Sequence, residues 1–116
     1  MLDINYNIKL IDFGFAAPLQ GRDGQGMLKT FLGTYGYMAP EQHLGREYNG
    51  AGVDVFATGV ILFLIYCNHP PFNAATSKDP YYVALACKNY EDFWKRHSEN
   101  KPNGEMFFST EFKELF

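Results

Sequence analysis

The sequence predicts a mainly α fold with a short N-terminal β-strand or hairpin and a buried central helix. Three observations carry that expectation. Val55 to Cys67 is apolar at nearly every position, and a helix hydrophobic all round belongs inside a core. Val83, Cys87, Tyr90 and Trp94 recur at i, i+4, i+7 and i+11, which places them on one face of an amphipathic helix. Ile8 and Leu10 alternate with Lys9, the two-residue period of a strand.

In chain order, Asp3 to Asn7 reads as a hairpin turn, with Asn at positions that tolerate a left-handed backbone. A strand follows over Asn7 to Ile11. Phe15 to Leu32 holds Gly21, Gly24 and Gly26 among polar residues, the composition of a surface loop. Ala39-Pro40-Glu41 sets a bend, because proline fixes its own φ and keeps the preceding residue extended. A short helix over Glu41 to Leu44 comes next. Asp54 is the expected N-cap of the central helix, and His69-Pro70-Pro71-Phe72 stops it. Asp79-Pro80 is a cap followed by a first-turn proline. Pro102-Asn103-Gly104 is a turn, and Ser109 caps a last helix with a Phe112, Leu115, Phe116 stripe.

The 116 residues fit one small domain. Apolar residues at 47% and aromatics at 17% supply a core and argue against disorder. The net charge is −3 with no basic run, so nucleic acid and anionic membrane are poor partners. Cys67 and Cys87 are far apart, which suggests reduced thiols rather than a disulfide framework or zinc site. Met1 to Lys9 carries polar residues throughout, unlike a signal peptide. The most apolar run, Val60 to Cys67, falls short of the roughly 20 residues that a bilayer needs. A cytoplasmic or nuclear protein is expected.

Two short stretches identify the chain. Asp12-Phe13-Gly14 ends the strand-like run. Gly33-Thr34-Tyr35-Gly36-Tyr37-Met38-Ala39-Pro40-Glu41 follows the loop. With Asp54-Val55 and Gly59-Val60 downstream, this order resembles the activation segment and helical lobe of a eukaryotic Ser/Thr protein kinase. Within that family the pattern is similar to the calcium/calmodulin-dependent and AMP-activated group. The resemblance covers residues 1–116, which correspond to part of a kinase domain: a partial C-lobe with its activation loop, lacking the N-lobe, the catalytic loop and the final helices.

The resemblance implies ATP and Mg²⁺ as cofactors and proteins as substrates. It makes Asp12 the Mg²⁺ ligand, Phe13 an inward-packing residue that sets where Asp12 faces, and Gly14 the point where the backbone turns. On the residues alone, Asp12 is equally a turn aspartate capping its own backbone. Thr30 matches the regulatory phosphorylation site, whose phosphate would add about −1.5 to −2 charge and recruit arginine. Lys29 and Arg22 are the local cations, and the plain alternative is a solvated loop threonine. Gly33, Thr34 and Tyr37 match the loop that cradles the substrate; otherwise they form a turn with packed aromatics. Glu41 and Asp54 match structural carboxylates whose partners, a distant arginine and the catalytic-loop backbone, are absent from this chain. His43, His69 and His97 lack metal-ligand spacing and read as surface or loop histidines. Phe56 and Trp94 read as core.

No Gly-x-Gly-x-x-Gly, no Val-Ala-x-Lys and no His-Arg-Asp-x-x-x-x-Asn occurs in the sequence. Phosphoryl transfer needs a base and phosphate clamps, so the isolated chain is expected to be inactive. An activating kinase or regulatory protein is an implied partner. Two alternatives stand beside the kinase-fragment reading: a non-catalytic binding module built on Tyr81 to Trp94, and a decayed gene product.

Overall fold

In a computed structural model the described residues are 1–19, 21, 24 and 26–116; Arg22 lies outside them. Five α-helices form: α1 (Pro40–His43), α2 (Gly50–Cys67), α3 (Pro80–Ala86), α4 (Tyr90–Ser98) and α5 (Thr110–Leu115). Short 3₁₀ turns lie at Phe13–Phe15, Tyr35–Tyr37 and Gly104–Phe107. The mainly α expectation holds.

No strand occurs among the described residues. The predicted run Asn7 to Ile11 contributes one antiparallel bridge, Leu2 to Ile8. The hairpin turn itself is present. Asp3 Oδ1 accepts from the Asn5 and Asn7 amides, each at 2.9 Å, and Tyr6 takes the left-handed φ of 63°. Those hydrogen bonds, Asn7's first, hold the Asp3 carboxyl below the usual carboxylate range. A lone two-stranded ribbon gains little in water, and Ile8 and Leu10 are exposed on it.

Local capping chemistry sets the helix starts. Asn49 Oδ1 accepts from the Gly52 amide at 3.0 Å, so α2 begins at Gly50, four residues ahead of the predicted cap Asp54. At α3 the carboxylate of Asp79 is buried and receives the amides of Tyr81 and Tyr82 from its own helix. It also receives those of Asn73 and Ala74 from the preceding turn. Ser109 caps α5 through the Phe112 amide. Asn68, with φ 60°, ends α2 and donates to the Leu64 carbonyl at 2.8 Å.

The stripe read from Val83 to Trp94 is not one helix. Lys88 takes φ 59°, and Asn89 caps α4 by accepting from the Asp92 amide. Cys87 and Tyr90 consequently face solvent while Phe93 and Trp94 are buried.

The main core is a block of aromatic rings around Phe63, which is 0% exposed. The rings of Phe93, Trp94, Phe108, Phe112 and Phe116 all lie within 6.2 Å of its centroid. Such pairs are worth about 0.5–1.5 kcal/mol each beyond their area burial. Val60, Phe72 and Ala75 form a second cluster, and Ala39, Tyr48 and Val53 a third, with Phe56 touching both.

Two expectations about α2 are corrected. It is not buried on all sides: Val55 is 72% and Ile65 76% exposed. The elements after it gather on the flank that carries Val60, Phe63 and Cys67. It also runs 18 residues, so by length and composition it is long enough and apolar enough to cross a membrane. Its inward stripe is packed as a core helix's stripe is. The molecule is spread rather than spherical, 49 × 40 × 21 Å with a radius of gyration of 16.1 Å, against about 13 Å for a compact chain of this length.

Candidate functional site

Among the described residues, a short pairing ties the end of the loop after the Asp-Phe-Gly turn to the molecule. Leu28 and Tyr48 exchange both main-chain hydrogen bonds, at 2.8 and 2.9 Å. The Tyr48 hydroxyl donates to the Thr30 carbonyl at 2.7 Å. Lys29 pairs with Glu47 at 3.0 Å. Both charges are more than half exposed, so that ion pair is worth at most about 1 kcal/mol. Gly50 sits under Leu28, where an added Cβ would come within 3.1 Å of Leu28 Cδ1.

Beside this pairing, at the start of α2, opens a cleft of about 730 Å³. Phe13, Gly14, Thr30, Gly33, Thr34, Tyr37 and Asp54 all line it. Sequence motifs that lie more than twenty residues apart therefore meet at one place. Asp12 and Glu41 do not line the cleft.

Asp12 is exposed and takes a left-handed backbone, φ 59° and ψ 72°. Its Oδ1 accepts from the Gly14 amide at 3.4 Å, which is the turn-capping arrangement. The left-handed residue of the turn is thus Asp12 rather than Gly14. Phe13 does not pack inward: it is 70% exposed along the cleft, and among the described residues no buried cluster reaches residues 13–15.

Gly33 takes φ 132°, a conformation that side chains rarely adopt. The exposed hydroxyl of Thr34 caps nothing, although its carbonyl accepts from the Tyr37 amide at 2.9 Å. Tyr37 is exposed, and Tyr35 meets the His43 ring edge-on at 4.4 Å. Thr30 is exposed.

Glu41 is half-buried in the first turn of α1. Among the described residues no cation pairs with its carboxylate. Asp54 is exposed in the second turn of α2, and its carbonyl accepts from the Thr58 hydroxyl at 2.8 Å. It is not the helix cap.

Protein kinases work with ATP and Mg²⁺, and Mg²⁺ takes one or two carboxylates plus phosphate oxygens. Among the described residues no group of three His, Cys, Asp or Glu side chains is placed to hold a metal. Asp12 offers one carboxylate, already turned toward Gly14. The residues present do not on their own amount to a nucleotide–metal site.

Leu28, Tyr48 and Gly50 were missed from sequence. A one-residue bridge leaves no periodic signal, and the small side chain at Gly50 gains meaning only beneath Leu28.

On a helical lobe built on α2, the Phe13-Gly14 turn and the Gly33 to Met38 loop meet across one cleft. The protein kinase domain family matches residues 1–116, and the chain belongs to that family. The chain is 40% identical to CBL-interacting protein kinase 2 of Oryza sativa subsp. japonica over 115 residues, covering 99% of this chain and 23% of that protein. It is 40% identical to the SNF-related serine/threonine-protein kinase of Homo sapiens over 82 residues, 70% of this chain and 10% of that protein. It is 44% identical to CBL-interacting protein kinase 30 of Oryza sativa subsp. japonica over 73 residues, 63% and 15% respectively. The chain thus spans less than a quarter of the length of these relatives. The similarity lies with Ser/Thr kinases of the SNF-related and AMP-activated kind.

Proposed function

We propose that this chain supplies the activation segment and substrate-binding lobe of a Ser/Thr protein kinase, and that alone it transfers no phosphate. The complete enzyme would move the γ-phosphate of ATP to Ser or Thr hydroxyls on proteins, with Asp12 as a Mg²⁺ ligand and Gly33 to Tyr37 seating the substrate. Thr30 would be its regulatory phosphorylation site, and a cytoplasmic or nuclear location goes with that role. The relatives named as CBL-interacting kinases motivate a regulatory protein as a further partner.

One observation supports this reading above others. Phe13, Gly14, Thr30, Thr34 and Asp54 line one cleft, yet the sequence offers no catalytic base and no lysine or glycine-rich loop to hold phosphates. Purified chain incubated with ATP, Mg²⁺ and a generic protein substrate should incorporate no phosphate above background. Robust incorporation that disappears in Asp12→Ala would overturn the reading.

A second reading, a non-catalytic docking module, draws on the exposed side chains of Val83 and Tyr90 on α3 and α4. Co-purification of a discrete partner that is lost on Val83→Ser and Tyr90→Ser would favour it.

A further inference from the structure

A second pocket, of about 340 Å³, opens on the other side of α2's C-terminal end, between the His69-Pro70-Pro71 turn and the end of α4. Arg96, Lys101, His69, His97, Asn100 and Tyr81 line it, and among the described residues none of those lining it is acidic. In a chain with net charge −3, a concave surface walled by two permanent cations, imidazole and amide is unusual. None of the kinase motifs reaches it.

Of the nearby carboxylates, Glu99 acts on Arg96 only through its charge, and the other two are engaged. Asp79 is buried and occupied by four main-chain amides. Asp92 accepts from Arg96 Nε at 2.9 Å, which fixes the guanidinium and leaves its two terminal nitrogens as donors. That guanidinium sits 5.8 Å over the Tyr81 ring. Lys101 Nζ donates to the Cys67 carbonyl at 2.6 Å, so the ammonium is held at the pocket wall with further N–H groups to offer. His69 and His97 stack at 5.2 Å. His97 is committed to the Pro71 carbonyl at 3.0 Å.

We propose that this pocket binds a phosphate monoester, with the dianion held by Arg96 and Lys101 and the organic group lying against Pro70 and Tyr81. The charge-assisted donors suit phosphate oxygens. The volume lies at the low end of the range for small-molecule sites, about 300–1,000 Å³, so it has room for more than a bare anion. Burial first, then His69 and, more weakly, Lys101 push the titration of His97 down, against the Pro71 hydrogen bond and the Asp79 charge. The monoester could be a phosphorylated side chain of a peptide or a free small phosphate. The site is independent of the kinase reading, since it uses no residue of the cleft.

The test is an NMR titration of the full chain, following the ring resonances of His69 and His97. The probes are phenyl phosphate, a phosphoserine peptide, inorganic phosphate and neutral phenol at constant ionic strength. Saturable shifts with phenyl phosphate or the phosphopeptide, weaker with inorganic phosphate and absent with phenol, are expected. Whichever of the first two binds tighter names the source. Arg96→Ala should weaken binding about tenfold, and Arg96→Lys should recover part of it. No saturation with any phosphate, or equal affinity in wild type and Arg96→Ala with the ring-shifted core resonances of Phe63 intact, would overturn the proposal.

Discussion

Phe63 and Phe13 are the same residue in opposite surroundings. Phe63 is fully enclosed, by rings from α4 and α5 and by Phe108 and Phe116 on either side of α5. Phe13 stands 70% exposed beside a glycine, on a segment anchored only by a bridge and a few turns. The difference separates a region whose burial makes it fold from one held in place by main-chain hydrogen bonds. The C-terminal half carries its own packing partners. Residues 1–13 display Ile4, Tyr6, Ile8, Leu10 and Phe13 to solvent, so these apolar side chains contribute almost nothing to stability here.

The largest effect expected from this contrast is that of Phe63→Ala. Emptying the centre of the aromatic block should cost about 3–5 kcal/mol, measured as a shift of the urea midpoint, and a loss below 1 kcal/mol would break the comparison. Next comes pH. Burial above all, with His69 beside it, pushes His97 down to about 4 from its ordinary 6.5. Unfolded chain therefore takes up a proton between pH 6.5 and 4 that folded chain refuses, and stability should fall as the pH drops through that window. The loss, absent at pH 7 and complete below 4, amounts to about 3 kcal/mol. His97→Asn should flatten the dependence of the urea midpoint over the same range. The smallest effect is that of Phe13→Ala, which should change stability by no more than about 0.5 kcal/mol. A larger change in the same urea titration would show that the two regions are coupled.

The sequence disclosed these features unevenly, for physical reasons. Asp79-Pro80 and Ser109 were legible because a cap and its amides are neighbours in the chain. The Phe13 to Glu41 motifs were legible as a kinase pattern, and the fold agrees with it. Asn89 escaped notice because the spacing from Val83 to Trp94 suited a continuous helix, and only the left-handed Lys88 divides it. His97 read as a surface residue beside Lys95 and Arg96, yet it lies one turn after the buried Phe93 and completes that face. The exposure of Val55 and Ile65 could not be read locally, because whether an apolar helix is covered depends on what the rest of the chain brings to it. Tyr48 was invisible for the same reason: its partner is eighteen residues away.

The Leu28–Tyr48 pairing turns the stretch between them into a closed ring with Thr30 just inside the clasp. Any enzyme that must draw the peptide around Thr30 into an extended strand, a protease or a modifying enzyme alike, has to unfasten that clasp first. Its rate is then governed by how often the ring springs open. The exposed hydroxyl of Thr30 is reachable, but its main chain is spoken for.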